Sequence, residues 1–284
     1  MKKTALFTLT SIFSISSLTA KPFLTDYAQS LFKSVKTLLK KQDPVVVPAR
    51  QAPTINVGYL SLKESIKQYE EIVYKLKAFA DNDVIDIILI DLKCGGGLPG
   101  ASQIIGEFIM HIKTAKPVIA FVSEYAFSGG YLIASSCSHI IAPSVADIGS
   151  IGSVIEFDQG AAKDPTHVVI KSGKYKAYAY DQDGKLTEDH RNILQENVDE
   201  TAFAFFNHVA RCRNIPVEDI KNFEARCFSG FQSLKIGLID QVGTLHDVIK
   251  KISEMVSDKQ KKSFEQVAFI NTDNVAFATF DLNE

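Results

Sequence analysis

FVSEYAFSGGYLIA, residues 121–134, joins an apolar strand-like run to an apolar helix-like run through a serine and two glycines. Ser128 therefore lies at a predicted strand-to-helix turn. Free N–H groups and the dipole at the N-terminus of the following helix favour negative charge that develops there. Gly129 and Gly130 would let another backbone approach closely. By itself the stretch is more typical of a plain connecting loop, so the rest of the chain has to decide.

Strand-like and helix-like segments alternate on both sides of this turn. Buried parallel strands are nearly continuous apolar runs, whereas amphipathic helices place apolar residues three or four apart. The alternation predicts right-handed crossover units around a parallel sheet. The predicted elements are strand 55–60, helix 64–80, strand 84–92, helix 101–113, strand 117–122, a helix after Ser128 and strand 139–143.

A second glycine turn, Gly95-Gly96-Gly97, follows the predicted strand 84–92. Functional sites of parallel sheets lie at the carboxyl ends of the strands. The glycine turn and the Ser128 turn both occupy such ends, so we expect them to face one site.

The remainder of the chain is predicted in less detail. A short helix or loop follows Gly152, then a strand and an exposed basic turn within 166–180. A long amphipathic helix is predicted over 186–213 with Thr187 as its N-cap. Shorter helices are expected in 216–223, 228–242 and 245–256. Residues 257–284 show no clear pattern, and we assign this C-terminal tail no role.

The N-terminus has the pattern of an export signal. Two lysines precede an uncharged apolar run that ends at Ala20, as in signal peptides. Residues 1–22 are therefore predicted to be a signal peptide or a retained membrane anchor, and residues 23–54 a spacer whose prolines interrupt regular structure. We expect the protein to be exported and to lie at the cell membrane or in an extracytoplasmic space.

Composition excludes several classes of function. The net charge is −2 and no lysine and arginine cluster is present, which argues against nucleic acid as a partner. The cysteines, Cys94, Cys137, Cys212 and Cys227, have no zinc-ligand spacing. An even number of cysteines permits disulfides, but Cys94 and Cys137 lie in predicted core elements and are equally typical of buried free thiols.

A serine nucleophile requires a base. None of the six histidines lies in a loop typical of a catalytic triad; they are His111, His139, His167, His190, His208 and His246. A neutral lysine is an alternative base. The basic turn IKSGKYKAY offers Lys171, Lys174 and Lys176, although the residues alone also fit a solvated loop.

The motifs around these residues resemble signal peptide peptidase A, the protease IV family of serine proteases. AFSGGYLIASSCSHIIAPSVADIGSIGSV resembles the family's nucleophile region, IKSGKYK its IKSGxxK, GFQSLKIGLIDQVG its GxxAxxxGLVDxxG, and CGGGLPGAS its SPGGxxxAS. The blocks occur in the family's order between Ile55 and Ile249.

This resemblance implies a role for each matching residue. Ser128 matches the nucleophile, Lys176 the general base, and Ser150 the serine that orients the lysine amine. The N–H of Gly129, with that of Gly96 or Gly97, matches the oxyanion hole. Neither a metal nor another cofactor is implied.

The resemblance also implies a fold and an assembly. The fold is the α/β Clp protease/crotonase-like spiral of β-β-α units, here as a single catalytic domain over residues 55–256. The assembly is a homo-oligomer, an octameric ring in which neighbouring subunits share each site. Two departures from the family stand out: Cys94-Gly95 replaces Ser-Pro in the oxyanion turn, and Ala225-Arg226 replaces Gly-Arg.

The sequence leads to one principal hypothesis of function and two alternatives. The principal hypothesis is a Ser-Lys endopeptidase that cleaves apolar, small-residue peptides, such as cleaved signal peptides, at or outside the membrane. A crotonase-like acyl-CoA enzyme would share the glycine oxyanion hole. A catalytically weak scaffold of the same fold would explain the altered Cys94-Gly95 turn.

Overall fold

The computed structural model describes residues 53–156, 170–181, 184–261, 263–272 and 276–282. These residues contain a mixed β-sheet of nine strands. The strands are β1 (Thr54–Leu62), β2 (Ile87–Cys94), β3 (Val118–Phe127), β4 (His139–Ala142), β5 (Asp147–Gly149), β6 (Cys227–Ser229), β7 (Gln241–Val242), β8 (Gln266–Ile270) and β9 (Ala276–Asp281). The helices are α1 (Glu70–Asp81), α2 (Pro99–Ile112), α3 (Gly129–Ser136), α4 (Glu188–Arg213), α5 (Val217–Asn222), α6 (Gly230–Lys235) and α7 (Leu245–Gln260).

The strands are ordered β6-β5-β3-β2-β1-β8-β9, and β4 pairs with both β3 and β7. All pairs are parallel except β5–β6 and β8–β9. β2 lies at the centre, where residues 87–90 have no exposed surface, as its continuous apolar run predicts. The expected parallel sheet with helical crossovers is confirmed.

The first helix is shorter than the sequence predicts. α1 begins at Glu70 rather than Glu64, because the chain around Ile66 pairs with the glycine turn instead. The N–H of Ile66 donates to the carbonyl of Gly96 over 2.8 Å, and the N–H of Leu98 donates to the carbonyl of Ile66 over 2.8 Å. These two bonds hold residue 66 in an extended conformation.

Strand β3 is longer than predicted. It continues past Val122 to Phe127, because its last residues change partner and pair with β5, with Tyr125 opposite Asp147 and Phe127 opposite Gly149. The extension carries the chain directly to Ser128.

The long helix α4 is confirmed, with Thr187 at its N-cap position but without a side-chain capping bond. The strand predicted to begin near Thr166 lies mainly outside the described residues. Residues 170–180 form turns, and Tyr180 bridges to Leu186 just before α4.

The C-terminal segment, for which the sequence predicts no element, extends the sheet. β8 lies parallel to β1 and pairs Val267 with Ile55. Val267 and Phe269 are buried in the core that also contains Ile55 and Val57. The sheet thus continues beyond residue 256.

The predicted signal or anchor, 1–22, and the spacer, 23–54, lie outside the described residues except for Pro53 and Thr54. Within the described part of the chain, no helix has the length and apolar character needed to cross a membrane. The four cysteines are free thiols, and Cys94 and Cys137 are buried.

Candidate active site

Ser128 occupies the turn between β3 and α3 in a strained conformation, with φ 49° and ψ −124°. Positive φ is uncommon outside glycine, and such residues cluster at functional sites. Two backbone bonds fix the turn: the Ser128 N–H donates to the carbonyl of Gly149 over 2.9 Å, and the Ser128 carbonyl accepts from the N–H of Leu132 over 3.0 Å. Ser128 is therefore held at the N-terminus of α3.

The glycine turn lies directly against Ser128. Gly96 has φ 100° and Gly97 has φ 151°, conformations that side chains rarely adopt. A Cβ on Gly96 would lie 2.8 Å from the Ser128 Cβ and 2.9 Å from the Gly129 N. The two predicted turns thus meet at one sheet edge, and only glycine allows this approach.

Cys94 fixes the glycine turn where the related motif has Ser-Pro. Its Sγ lies 3.2 Å from the carbonyl of Glu64, and the Gly96 N–H donates to the same sulfur over 3.4 Å. Burial raises the pKa of the Cys94 thiol, so the thiol keeps its proton and can donate to Glu64. The Cys94 sulfur therefore links the glycine turn to Glu64 and to Gly96, although the turn has no proline.

Helix α3 begins in close contact with the elements around it. A Cβ on Gly129 would lie 2.2 Å from the Ser102 Oγ, and a Cβ on Gly130 would lie 2.6 Å from the Cys94 carbonyl oxygen. Ser102 is fully buried and donates its hydroxyl to the Leu98 carbonyl. The N-terminus of α3 is thus pressed against both the glycine turn and α2.

Ser150 is one residue beyond the strand that pairs with the end of β3. Its φ is 51°, and its N–H donates to the carbonyl of Arg226 over 3.3 Å. The Ser128 N–H donates to the carbonyl of Gly149, the residue just before Ser150, so this one backbone hydrogen bond holds the two serine positions near each other.

A cavity of about 730 Å³ opens beside Ser128. One wall is the glycine turn and the start of α2, a second is the start of α3, and a third is the face of α4. The lining residues include Gly95, Gly97, Pro99, Gly100, Ser102, Gln103, Ser128, Gly129, Leu132, Ser150, Gly152, Ser153, Val154, Glu200, Thr201, Ala204, Phe205, His208 and Ala225.

The predicted site residues that line this cavity are Ser128, Ser150, Gly97 and Gly129. Gly96 does not line it but packs closely against Ser128. Lys176 is not among the described residues that line it. Lys176 is exposed on the turn before α4, where its N–H donates to the carbonyl of Gly173 over 3.2 Å. A single chain therefore brings together the serines and the glycines but not the lysine.

The wall formed by α4 was not predicted from the sequence. Thr201, Phe205 and His208 share one helical face at spacings of three or four residues. That periodicity is visible in the sequence, but it is the same pattern by which a helix packs on a core. Only the position of α4 across the cavity distinguishes the two.

The sequence predicts no catalytic role for His208, which lies on a predicted helix. In the structure it is 5% exposed and lines the cavity. Its described polar contacts are with side chains of α2, α3 and α4, namely Glu107, Ser136, Arg211 and Cys212, and not with Ser128. Among the described residues, no group of three or more His, Cys, Asp or Glu is arranged to hold a metal ion.

The profile of peptidase family S49 matches residues 111–259, slightly more than half of the chain. The chain belongs to peptidase family S49. The matched range contains Ser128, Ser150, Lys176 and all of α4. The resemblance to the signal peptide peptidase A and protease IV group is confirmed, since relatives of this chain carry those names.

Three relatives illustrate the similarity within family S49. A Synechocystis sp. protein whose name marks it as a candidate protease is 34% identical over 166 residues, which cover 56% of this chain and 59% of that protein. Capsid assembly protease C of Escherichia phage lambda is 27% identical over 68% of this chain and 45% of its own length. Protease 4 of Haemophilus influenzae is 27% identical over 73% and 35%, respectively. The chain thus spans about half of the curated relatives' length.

Solved structures show the same fold. A serine-to-alanine variant of the 1510-N membrane-bound stomatin-specific protease superposes with a TM-score of 0.50 at 20% identity, covering 71% of this chain and 86% of that one. A lysine-to-alanine variant of that protease, in complex with a substrate peptide, gives 0.50 at 21% identity, covering 72% and 83%. The expected Clp protease/crotonase-like fold is confirmed.

Proposed function

We propose that this member of family S49 is a serine endopeptidase with a Ser-Lys dyad. Ser128 is the nucleophile, Lys176 the general base and Ser150 the residue that orients the lysine amine. The N–H groups of Gly129 and of Gly96 or Gly97 form the oxyanion hole.

The observation that carries this proposal is the position of Ser128. It lies in a strained turn at a helix N-terminus, beside a cavity and against a glycine turn. Peptide hydrolysis develops negative charge on the carbonyl oxygen, and preorganised N–H groups stabilise that charge. The Gly97 N lies 3.5 Å from the point where a Cβ on Gly129 would be, so both chain segments border the same small space.

The reaction would proceed in two stages. The neutral amine of Lys176 takes the proton of the Ser128 Oγ while that oxygen attacks the scissile carbonyl carbon. The tetrahedral oxyanion then collapses, and the leaving amine takes the proton from the lysine. A water molecule hydrolyses the resulting ester in the same way and releases the second peptide.

The lining of the cavity supports the proposal that the substrate is an apolar peptide with small residues. Leu132, Ala204 and Phe205 line its walls, and pockets of this kind bind apolar groups while a few polar groups fix their orientation. Together with the export signal predicted over 1–22, this favours peptides such as cleaved signal peptides at or outside the membrane. The N-terminal segment would hold the enzyme there.

The exposed lysine supports an oligomer with shared sites. Because Lys176 lies on the surface of its own chain, a neighbouring copy can supply it to the cavity. In such an assembly a neighbouring copy would cover Val154 at the cavity, which is 75% exposed, and Phe203 on α4, which is 55% exposed. We infer a ring, with eight subunits as the expected number.

Substitution of the nucleophile tests the proposal. The full-length Ser128→Ala protein should hydrolyse an apolar fluorogenic peptide at least about 10³-fold more slowly than the parent, because the attacking oxygen is gone. Ser123→Ala is the matched control: Ser123 lies earlier in β3 and donates to the carbonyl of Leu92, so its loss should leave the rate unchanged. Unchanged hydrolysis by Ser128→Ala would contradict the proposal. Acyl-CoA turnover that survives this substitution would support the crotonase-like alternative instead.

A further inference from the structure

Behind the cavity wall, α2, α3 and α4 meet at a polar cluster made of Glu107, Ser136, His208, Arg211 and Cys212. Gly106 on α2 makes this meeting possible, since a Cβ there would lie 2.8 Å from the Ser136 Oγ and 3.2 Å from the His208 Cε1. The cluster borders the cavity only through His208. It is not used in the proposed hydrolysis.

The two shortest polar contacts of His208 favour a proton on each ring nitrogen, although Arg211 Nη2, which only donates, also lies 3.5 Å from Nδ1. The Ser136 hydroxyl donates to the Leu132 carbonyl over 2.9 Å, so at 2.8 Å from Nε2 it acts as an acceptor. Nδ1 lies 3.4 Å from Glu107 Oε1, and a carboxylate only accepts. Burial opposes the charge, but contacts with Cys212 and Glu107 hold the pKa of His208 above its ordinary value.

Cys212 lies beside the His208 ring. Its Sγ lies 3.5 Å from His208 Nε2 and 3.4 Å from the Met110 Sδ. The charged groups that act on the thiol are Lys113, just after α2, and His208, Arg211 and Arg213 on α4. Arg211 is ion-paired with Glu107 on α2. Burial by itself would raise the pKa of the Cys212 thiol, but His208, Lys113 and Arg211 outweigh it and hold the pKa below its ordinary value.

The other three cysteines lack such a partner. Burial raises the pKa of Cys137 to about 12, and it also raises the pKa of Cys94 and of Cys227. Cys227 is the most exposed of the four and Cys212 is half-buried. Greater exposure therefore favours reaction at Cys227, whereas the lower thiol pKa favours reaction at Cys212. Cys227 thus serves as an internal control for Cys212.

We propose that Cys212 is a modification site, a cysteine in contact with the His208 ring that reacts selectively with hydroperoxides and soft electrophiles. With hydrogen peroxide, the thiolate sulfur attacks one peroxide oxygen, an S–O bond forms, and the O–O bond breaks. The product is a sulfenic acid, and the departing hydroxide takes a proton to become water, so the sulfur is oxidised by two electrons and the peroxide is reduced. The modification occurs next to a residue of the cavity wall.

Labelling of the full-length protein tests this site. The folded protein is treated near pH 7 with limiting iodoacetamide, or with hydrogen peroxide and dimedone, and each cysteine peptide is quantified by mass spectrometry. The pKa of the Cys212 thiol is held below the ordinary cysteine value and that of the Cys227 thiol above it. Cys212 therefore has the larger thiolate fraction near pH 7 and should be labelled several-fold faster than Cys227, although Cys227 is more exposed. Its alkylation should also reach half-maximum at a lower pH.

Two histidine variants complete the experiment. His208→Gln removes the cation and should slow Cys212 labelling to the rate of Cys227. His246→Gln, at an exposed position on α7, should change nothing. The proposal is overturned if Cys227 reacts as fast as Cys212, or if both variants behave alike. If His208→Gln unfolds the protein, buried Cys137 becomes labelled, and the ratio of Cys212 to Cys227 in the parent then decides. Because peptide hydrolysis is not measured, the result is independent of the proposed function.

Discussion

Ser128 and Ser150 are both non-glycine residues at positive φ, 49° and 51°. Each such conformation costs on the order of 1–3 kcal/mol and persists only where neighbouring structure imposes it. Here the imposing contacts are the backbone bonds from Ser128 to Gly149 and from Ser150 to Arg226. The strain is therefore supported by the last residue of β5 and by the residue that precedes β6.

The close backbone contact at the start of α3 predicts that adding a single methyl group there destabilises the fold. Gly130 and Gly100 are the second residues of α3 and α2, respectively. A Cβ on Gly130 would meet the Cys94 carbonyl oxygen at 2.6 Å, whereas nothing lies within 4 Å of a Cβ on Gly100. Gly130→Ala should therefore destabilise the fold by about 1–3 kcal/mol through overpacking.

The same substitution at the open position provides the control. Gly100→Ala should be neutral or stabilising by up to about 1 kcal/mol, because alanine is the better helix former. Urea unfolding followed by circular dichroism measures both variants. Equal unfolding free energies for the two would mean that α3 is not pressed against the end of β2.

At the scale of elements, the sequence predicts what depends on local pattern. The apolar run of β2 and the long helix α4 are of this kind: β2 is predicted over 84–92 and spans Ile87–Cys94, and α4 is predicted over 186–213 and spans Glu188–Arg213. The residues Ser128 and Gly96–Gly97 could be placed together because parallel strands end at one edge of the sheet.

Elements set by distant partners could not be predicted. Ile66 continues a helical pattern, but the turn at Gly96–Gly97 recruits it into an extended conformation through two backbone bonds. β8 has no strong pattern of its own and is a strand because β1 offers it a free edge. The cavity wall on α4 likewise depends on where the helix lies and not on its periodicity.

The end of α4 is attached to the sheet by one ion pair, and this attachment depends on pH. Arg213, whose side chain is 9% exposed, donates to both carboxylate oxygens of Asp240, and Asp240 also accepts from the N–H of Ile140 in β4. Asp240→Asn leaves Arg213 uncompensated. We expect a loss of about 2–3 kcal/mol near neutral pH, somewhat less than for a fully buried pair.

The sign of the pH dependence follows from the pKa of Asp240. Burial opposes ionisation, but the Arg213 contact outweighs it and lowers that pKa from its ordinary value of 3.8. The stabilisation is thus complete above pH 3.8 and is lost as the pH falls through the lower folded-state pKa. Urea unfolding from pH 6 to pH 2.5 should show the parent and Asp240→Asn converging at the acid end.

An exposed ion pair provides the comparison for this variant. Glu218 pairs with Lys221 on the surface of α5, and Glu218→Gln should cost less than about 0.5 kcal/mol. A constant difference between Asp240→Asn and the parent at every pH would show that the ion pair does not hold the end of α4.

On the scale of the whole molecule, the separation of Lys176 from the cavity has a definite consequence. The cavity of one chain contains the proposed nucleophile, and the exposed turn of the same chain carries the proposed base. If neighbouring copies complete each other's sites, activity belongs to the assembly and is lost on dilution to monomers. If each chain completes its own site, the turn must move onto the cavity and dilution has no effect.

Mixing two inactive proteins distinguishes these arrangements. Ser128→Ala and Lys176→Ala chains, each inactive alone, are unfolded together and refolded as mixed assemblies. In a closed ring with random order, about a quarter of the sites would combine an intact serine from one chain with an intact lysine from its neighbour. We therefore expect about a quarter of the parental rate of peptide hydrolysis, whereas the two proteins refolded separately and then combined should remain inactive. An inactive co-refolded mixture of the same oligomeric mass as the parent would contradict the shared site, because each lysine would then serve only the serine of its own chain.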